Sequence, residues 1–352
     1  MISIKKLLKQ SKIVASAPCR IDAGGTWDIK TMALPFEDIL PTTINIALDL
    51  RTKVSLTPFD DEFIKISSKG FDPKVFSIFD LSFEPPYGLF VSAVRFFGFH
   101  GVEVNIVSTA PIQSALGGSS TALVALIKAL AEAKKRLDGE CLRTDEILYL
   151  SYHIEDAIGG GNCGAQDHGA AVYGGVNQWI WKYSKPAICE KVSLLDTYNY
   201  KELSKRLLVA YSGKRHLSSI TNKKWINDFL SGKTQEEWIK INQIIHNLSI
   251  SLKQRNWESV VNYLNREVEI RRKITPDAFI PLTNKLIDQA QDLGCAARFT
   301  GAGAGGSIWA IGEYESIKKL RYFWTQGLSP IKDAKIFSCS IDPEGVKIET
   351  TF

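Results

Sequence analysis

Between Val102 and Ile106 apolar residues alternate with polar ones, a period of two that predicts a half-buried strand. Downstream the period lengthens, and Leu123, Leu126, Leu130, Ala133 and Leu137 recur at helical spacing. The joint between them is Pro111-Ile112-Gln113-Ser114-Ala115-Leu116-Gly117-Gly118-Ser119-Ser120-Thr121, rich in glycine and hydroxyl residues. A helix starting there presents backbone N–H groups that lack intrahelical partners, at the positive end of its dipole, and such a terminus seats an anion. Two readings follow. Ser119 or Ser120 caps the helix while the glycines make a tight turn, or the loop cradles a phosphate, with Ser119, Ser120 or Thr121 ligating a metal that rides on it. The Gly-Lys-Ser/Thr of a Walker A loop is missing, so any nucleotide site is of another kind.

The same pattern organises the rest of the chain. Lys12 to about Thr57 reads as strand, glycine turn and further strand, with Ile44, Ile46 and Leu48 alternating. A second strand-rich piece is broken by Pro85-Pro86, and Leu89 to Phe99 reads as a helix. Another helix is expected from Asp145 to Ile158, closed by Gly159-Gly160-Gly161. Strands resume after Tyr173-Gly174-Gly175-Val176, where Trp179 and Trp181 alternate. The polar stretch from Ser184 to Asn199 then suggests a boundary, giving domains 1–195 and 196–352. The second half is expected to hold a strand at Leu207 to Tyr211, helices between Thr221 and Ala290, and a closing section of short strands.

Composition narrows the class. A chain of 352 residues, 45% hydrophobic and 23% charged, is of globular type with room for roughly two domains. Its net charge of +5 comes without a basic block, which argues against a nucleic-acid partner. The six cysteines form no Cys-x-x-Cys pair and the five histidines no His-Glu-x-x-His, so neither a disulfide framework nor a zinc site is expected, and a reducing cytosol fits. Met1 to Val14 lacks the unbroken apolar core of a signal peptide, and no run approaches the ~20 apolar residues of a membrane span. A cytoplasmic protein without a membrane partner is the expectation.

Three further clusters carry candidate chemistry. In Ala17-Pro18-Cys19-Arg20-Ile21-Asp22-Ala23-Gly24-Gly25-Thr26-Trp27-Asp28, Arg20 supplies fixed positive charge and Asp28 accepts bonds from ligand hydroxyls. The plain alternative is a strand and glycine turn with solvated charges, and Trp27 is either packing or a sugar platform. Glu155-Asp156 followed by Gly159 to Gly169 offers two carboxylates, Glu155 and Asp167, that could divide the work of metal ligand and proton acceptor. Alternatively Glu155 is a solvated helix residue and Asp167 a cap. His168 and Cys163 are read as neighbours rather than catalysts. Gly301-x-Gly303-x-x-Gly306 has dinucleotide spacing, yet Ser307 to Ile311 is a β-type run, so a Rossmann site is rejected, while close backbone approach to a phosphate or substrate stays open.

In this order, these stretches resemble the GHMP small-molecule kinases, the family of galactokinase, homoserine kinase, mevalonate kinase, heptose-phosphate kinase and fucokinase. The resemblance rests on Ala17-Pro18-x-Arg20 through Asp28, on Leu116-Gly117-Gly118-Ser119-Ser120, and on Thr300-Gly301-Ala302-Gly303-Ala304-Gly305-Gly306. It implies a two-domain α+β fold, an N-terminal ATP-binding domain followed by a ferredoxin-like substrate and lid domain. Leu116, Gly117, Gly118, Ser119, Ser120 and Thr121 would bind ATP, Ser119 and Glu155 would hold Mg2+, and Asp167 would accept the acceptor's proton beside Arg20. Asp28, Trp27, Gly301 and Gly303 would contact the acceptor, a small sugar or sugar phosphate, expected to react at its anomeric hydroxyl. The sugar kinases are the nearer match, through Gly24-Gly25-Thr26-Trp27-Asp28 and Gly164 to Asn177. Tyr211 to His216 resembles a substrate-side loop, and a homodimer is left open.

Two departures stand out. Asp38-Ile39-Leu40-Pro41-Thr42-Thr43-Ile44-Asn45 replaces the family's Gly-Gly before a strand, and Ala304 holds a glycine position, tolerable if its φ is negative. Two rival functions are a non-catalytic nucleotide and sugar sensor on the same fold and a kinase of a non-sugar alcohol such as mevalonate. Keeping Arg20, Ser119, Glu155 and Asp167 disfavours the first, and a carboxylate at Asp28, which would repel an acidic acceptor, disfavours the second.

Overall fold

The computed structural model describes residues 1–215 and 218–350. Its first half runs β1 (Ile2–Ser3), α1 (Lys5–Gln10), β2 (Ile13–Ala23), α2 (Lys30–Ala33), β3 (Thr42–Pro58), β4 (Phe63–Ser68), β5 (Phe71–Ser77), α3 (Gly88–Phe96), β6 (Phe99–His100), β7 (Val102–Ser108), α4 (Gly118–Asp138), α5 (Thr144–Ile158), α6 (Gln166–Tyr173), β8 (Val176–Trp181) and β9 (Cys189–Ser193). The second half continues with α7 (Thr197–Lys205), β10 (Leu207–Tyr211), α8 (Ser218–Leu230), α9 (Gln235–Gln254), α10 (Trp257–Ile274), α11 (Pro281–Asp292), β11 (Ala296–Phe299), β12 (Ser307–Ile311), α12 (Tyr314–Leu328), β13 (Lys335–Ile336) and β14 (Lys347–Ile348).

β3 organises the larger sheet because it is long enough to serve two partners. Its first part, Thr42 to Ile46, pairs with β8, and its last part, Thr52 to Pro58, pairs with β7, while β2 lies antiparallel along its other edge. The β2–β3 register shifts between Pro18 and Cys19, where Pro18 faces Arg51 and Cys19 faces Leu48. Proline brings no N–H to the ladder there, and a bulge re-aims the side chains beyond it. Arg20 is two residues on. The polar side of that turn in direction is the cleft described below.

α4 is the central helix. Leu123, Val124, Leu126, Ile127 and Leu130 are all fully buried, because the sheet covers one side and neighbouring helices the others. Burying each contributes roughly 1.5–3 kcal/mol, which anchors the helix N-terminus and hence the loop before it.

The smaller sheet has the order β11-β12-β10-β13, all antiparallel. With α8 to α11 between β10 and β11, and α12 between β12 and β13, this is the ferredoxin-like arrangement that the resemblance implied, and the chain has a two-domain α+β fold. The chain end does not stay with this sheet, since β14 returns to pair with β2. The closing section also differs from expectation. It contains the fifteen-residue helix α12, whose Ile317, Leu320, Trp324 and Leu328 repeat at three- and four-residue spacing and are buried against the small sheet's core.

Candidate functional site

Five chain segments meet at a cleft of about 200 Å³: the end of β2 and its glycine turn, the start of α4, the end of α5 with the α5–α6 connection, Asn222 of α8, and the loop between β11 and β12. Gly117 forms the N-cap of α4 with φ +77°, a left-handed conformation that a residue with a Cβ adopts at a cost. Neither Ser119 nor Ser120 caps the helix; both sit inside its first turn and line the cleft. Thr121 turns the other way. It is fully buried, and its hydroxyl donates to the Gly117 carbonyl at 2.8 Å, so the structure places it outside the cleft. The Leu116 side chain is likewise in the core, and only its backbone faces the site, accepting the Arg20 N–H at 3.2 Å.

Arg20 and Asp167 form the centre. Arg20 Nε donates to Asp167 Oδ1 at 2.7 Å and its Nη2 approaches the same oxygen at 2.6 Å. Nη1 donates to the Ala115 carbonyl at 2.8 Å, which ties the arginine to the central loop. Asp167 lies in the first turn of α6, and burial raises its pKa above the ordinary carboxylate value against the pull of Arg20.

Asp28 is almost fully buried, and Gln166 holds both of its oxygens: the backbone N–H donates to Oδ2 at 3.1 Å and Nε2 to Oδ1 at 3.2 Å. Gly164 permits this approach, because a Cβ there would stand 1.9 Å from Oδ2. Burial, reinforced by the Asp167 charge, pushes Asp28 up to about 8. Asp28 in this state is largely uncharged at neutral pH, so the expected repulsion of an acidic acceptor does not arise from it.

Ser119 Oγ donates to Glu155 Oε1 at 3.1 Å, and the other oxygen, Oε2, is 2.7 Å from His168 Nε2. Burial works to raise the Glu155 pKa, but hydrogen bonds from His168, Ser120 and Ser119 outweigh it and hold the group below its ordinary value. Glu155 is therefore a fixed carboxylate, not the solvated helix residue of the plain alternative. Sequence reasoning misses His168 as the partner of Glu155; its place one residue after Asp167 on the short helix α6 is the only sequence signal for it. Gln166, one residue before, was missed in the same way.

Trp27 does not serve as a platform. It is fully buried, edge-on to Phe36 and Phe229, with Nε1 donating to the Trp238 carbonyl at 3.1 Å. Gly301 reaches the cleft and its N–H donates to Asp22 Oδ1 at 2.6 Å. Gly303 stands instead against Ala278, whose carbonyl oxygen a Cβ there would meet at 2.5 Å. Ala304 has φ +59°, contrary to the negative φ expected of a tolerated alanine; the bond from its N–H to the Ala278 carbonyl at 2.7 Å holds it there. In the departing stretch before β3, Leu40 also carries a left-handed φ of +55°. Of the Tyr211 to His216 loop, Lys214 and Arg215 are exposed and His216 lies outside the described residues.

Asp22 was also missed. It is fully buried, accepts from Arg298 Nη1 at 2.9 Å and lies 3.5 Å from Arg20 Nη1. Arg298 is bound in turn to Glu267 Oε2 at 3.1 Å. The hub thus couples the small sheet and its glycine loop to the arginine beside Asp167.

Residues 88–175 match the family model of the GHMP kinases N terminal domain. The match runs from α3 to just past α6, about a quarter of the chain, and the fold is that of the GHMP kinases, a family of phosphotransferases whose acceptor is an alcohol group. Solved structures with the same fold include a D-glycero-D-manno-heptose 1-phosphate kinase from Bacteriodes thetaiotaomicron, 18% identical with a TM-score of 0.72 over 97% of this chain and 99% of that one. Phosphomevalonate kinase of Streptococcus pneumoniae, in complex with phosphomevalonate and AMPPNP, is 14% identical with a TM-score of 0.74 over 94% and 100%. Lactococcus lactis galactokinase, complexed with galactose, is 16% identical with a TM-score of 0.68 over 98% and 99%. No curated protein matches the sequence. Among the described residues, no helix is long and apolar enough to cross a membrane.

Proposed function

We propose that the protein transfers the γ-phosphoryl group of ATP, with Mg2+, to a hydroxyl of a sugar or sugar phosphate, the anomeric hydroxyl being the expected site. The observation that carries this reading is the Arg20–Asp167 pair standing beside the N-terminus of α4. Both arginine donors converge on Oδ1, while Oδ2 has no donor among the described residues and is not sealed from solvent. Oδ2 is the atom that would accept the hydroxyl proton as the acceptor oxygen attacks. Arg20 pulls the Asp167 pKa down against burial and holds the carboxyl in place, and its fixed charge opposes the negative charge gathering on the transferring group. The open backbone N–H groups around Gly118, Ser119 and Ser120 would receive the phosphates.

The donor set fits magnesium. Ser119 Oγ and Glu155 Oε1 are hard oxygen donors already brought together, and Glu155 is held as a carboxylate. When bound there, Mg2+ would neutralise phosphate charge and orient the nucleotide. Asp28 is the acceptor-side group, the remaining hydrogen-bonding capacity of its carboxyl suiting a polyol, and Gln166, whose amide is bound to Asp28, Gly25 and Asn45, holds it in place.

The test is ADP release from Mg-ATP over a panel of hexoses, deoxyhexoses, heptoses and their phosphates, with mevalonate and phosphomevalonate alongside. Turnover with one sugar that is lost in Asp167→Asn supports the reading. Turnover confined to the isoprenoid alcohols, or nucleotide binding without turnover on any acceptor, overturns it.

A further inference from the structure

Cys163, which the phosphoryl-transfer reading leaves without a task, and His168, which that reading uses only to hold Glu155, come together with Glu155. The Glu155 carboxylate, the Cys163 thiol and a ring nitrogen of His168 lie within 4.8 Å of one another, the one such group of three found among the described residues. We propose that these three side chains form a binding site for a thiophilic divalent cation of the Zn2+ type, and that such an ion withdraws Glu155 from Mg2+ and so inhibits the protein.

The donors select the ion. Magnesium requires oxygen ligands in near-octahedral geometry, whereas thiolate with imidazole and one carboxylate is a donor set for zinc and cobalt. Tetrahedral zinc with these ligands needs donor atoms about 3.3–3.8 Å apart, from bonds of about 2.0–2.3 Å. The Glu155–His168 separation of 2.7 Å and the 4.8 Å limit of the group bracket that spacing, so side-chain rotations suffice. His168 is fully buried, neither of its ring nitrogens has a partner in good hydrogen-bond geometry although Nε2 lies 2.7 Å from Glu155 Oε2, and Tyr152 packs against its ring at 80°. The ring is thereby held with Nε2 toward Glu155. Cys163 is half-buried and lines the cleft with Glu155, which supplies the entry path.

Binding is coordination only. Cys163 gives its thiol proton to solvent, His168 coordinates through Nε2 as a neutral ring with its proton on Nδ1, and nothing is oxidised. Thiolate and carboxylate together cancel the charge of the ion, which is what a buried site requires. Three protein ligands leave a fourth position for water or a phosphate oxygen. Glu155 turns Oε1 to Ser119 and Oε2 to His168, so the two ions would share one carboxylate, and a single negative charge already spent on the zinc-type ion holds Mg2+ more weakly beside a second dication.

The experiment uses the full chain stripped with a chelator and titrated with CoCl2. The expected result is a sulfur-to-cobalt charge-transfer absorption with tetrahedral visible bands, reversed by ZnCl2. Cys163→Ser should abolish the charge-transfer band and His168→Gln, which removes a direct ligand, should weaken cobalt binding by about 100-fold or more, since losing even an outer-shell partner costs roughly 10- to 100-fold. A wild-type protein without that band, or a band that persists undiminished in Cys163→Ser and so belongs to another cysteine, overturns the site. The inhibition half rests on the function proposed above and is read separately, as ADP release against zinc. Loss of turnover with zinc, relieved in Cys163→Ser relative to that variant's own zinc-free rate, supports it. Spectroscopic binding with unchanged turnover overturns the competition, and with it the magnesium role of Glu155, while leaving the site standing.

Discussion

Two nitrogen atoms of Arg20 address a single oxygen of Asp167, Nε at 2.7 Å and Nη2 at 2.6 Å from Oδ1, so the carboxylate is gripped from one side only. A fork-to-fork pairing would have consumed both oxygens. The asymmetry leaves Oδ2 to a ligand, and the arginine cannot swing away because the Ala115 carbonyl and the bulge beyond Pro18 fix its stem.

Asp167→Asn should therefore lower turnover by about 10²- to 10⁴-fold, the usual range for losing a positioned acid–base group, while nucleotide binding stays within a few-fold of wild type. ADP release and a nucleotide titration on the same preparation check both halves. A variant with near-normal turnover would remove Asp167 from the chemistry.

Glu155→Gln should raise the Mg2+ concentration needed for half-maximal rate, because an amide is a weaker ligand and loses the charge that attracts the ion. One of the two oxygens, facing Ser119 and His168 respectively, becomes an amide donor, and either neighbour can answer it by accepting, the serine through its hydroxyl oxygen and the ring through an unprotonated nitrogen, so the shape of the site is kept while its charge is lost. Magnesium titration at saturating ATP measures it, and an unchanged midpoint would show that the ion is held elsewhere.

How much of this was legible beforehand follows from the range over which each feature is determined. The β7-loop-α4 joint is local: period two, then glycine and serine, then helical spacing, all within about forty residues, and it was read correctly from Val102 to Leu137. α12 was equally local, and its spacing of Ile317, Leu320, Trp324 and Leu328 could have been found by the same count. By contrast the contact between Asp22 and Arg298 joins residues 276 apart in sequence, and no periodicity carries that information. The burial of Trp27 depends on Phe229 of a distant helix, and the left-handed φ of Ala304 on the Ala278 carbonyl. Glu155 and His168 lie on adjacent helices joined by a turn, so their pairing was within reach of a reader who placed both helices but not of one who counted residues alone.

Asp28 gives a pH dependence with a definite sign. Its pKa is about 8 when folded and near 3.8 when the chain is unfolded, so between those values the folded state binds the extra proton. Stability must then fall as pH rises from about 4 to about 8 and level off above it, as far as this group contributes. Asp28→Asn removes the titration while keeping a similar shape. Urea unfolding at about pH 6 and about pH 9 should show a smaller difference between the two pH values for the variant than for wild type. Equal differences would mean that Asp28 is charged in the folded protein throughout.

Arg298 is the test of the hub. It is fully buried between two fully buried carboxylates, Asp22 and Glu267, and removing it leaves both without their main partner. Breaking a buried pair by deleting one member typically costs about 3–5 kcal/mol, since the orphaned charge stays behind. Arg298→Met, similar in length and apolar, should lose stability on that scale in denaturant unfolding, and Arg298→Met combined with Asp22→Asn and Glu267→Gln should recover part of it by removing the stranded charges. Turnover should fall in Arg298→Met at temperatures where the protein is still folded, because Asp22 also holds the Gly301 N–H and faces Arg20. A single variant within about 1 kcal/mol of wild type, a difference typical of exposed ion pairs, would mean that Asp22 and Glu267 are not both charged in the folded state.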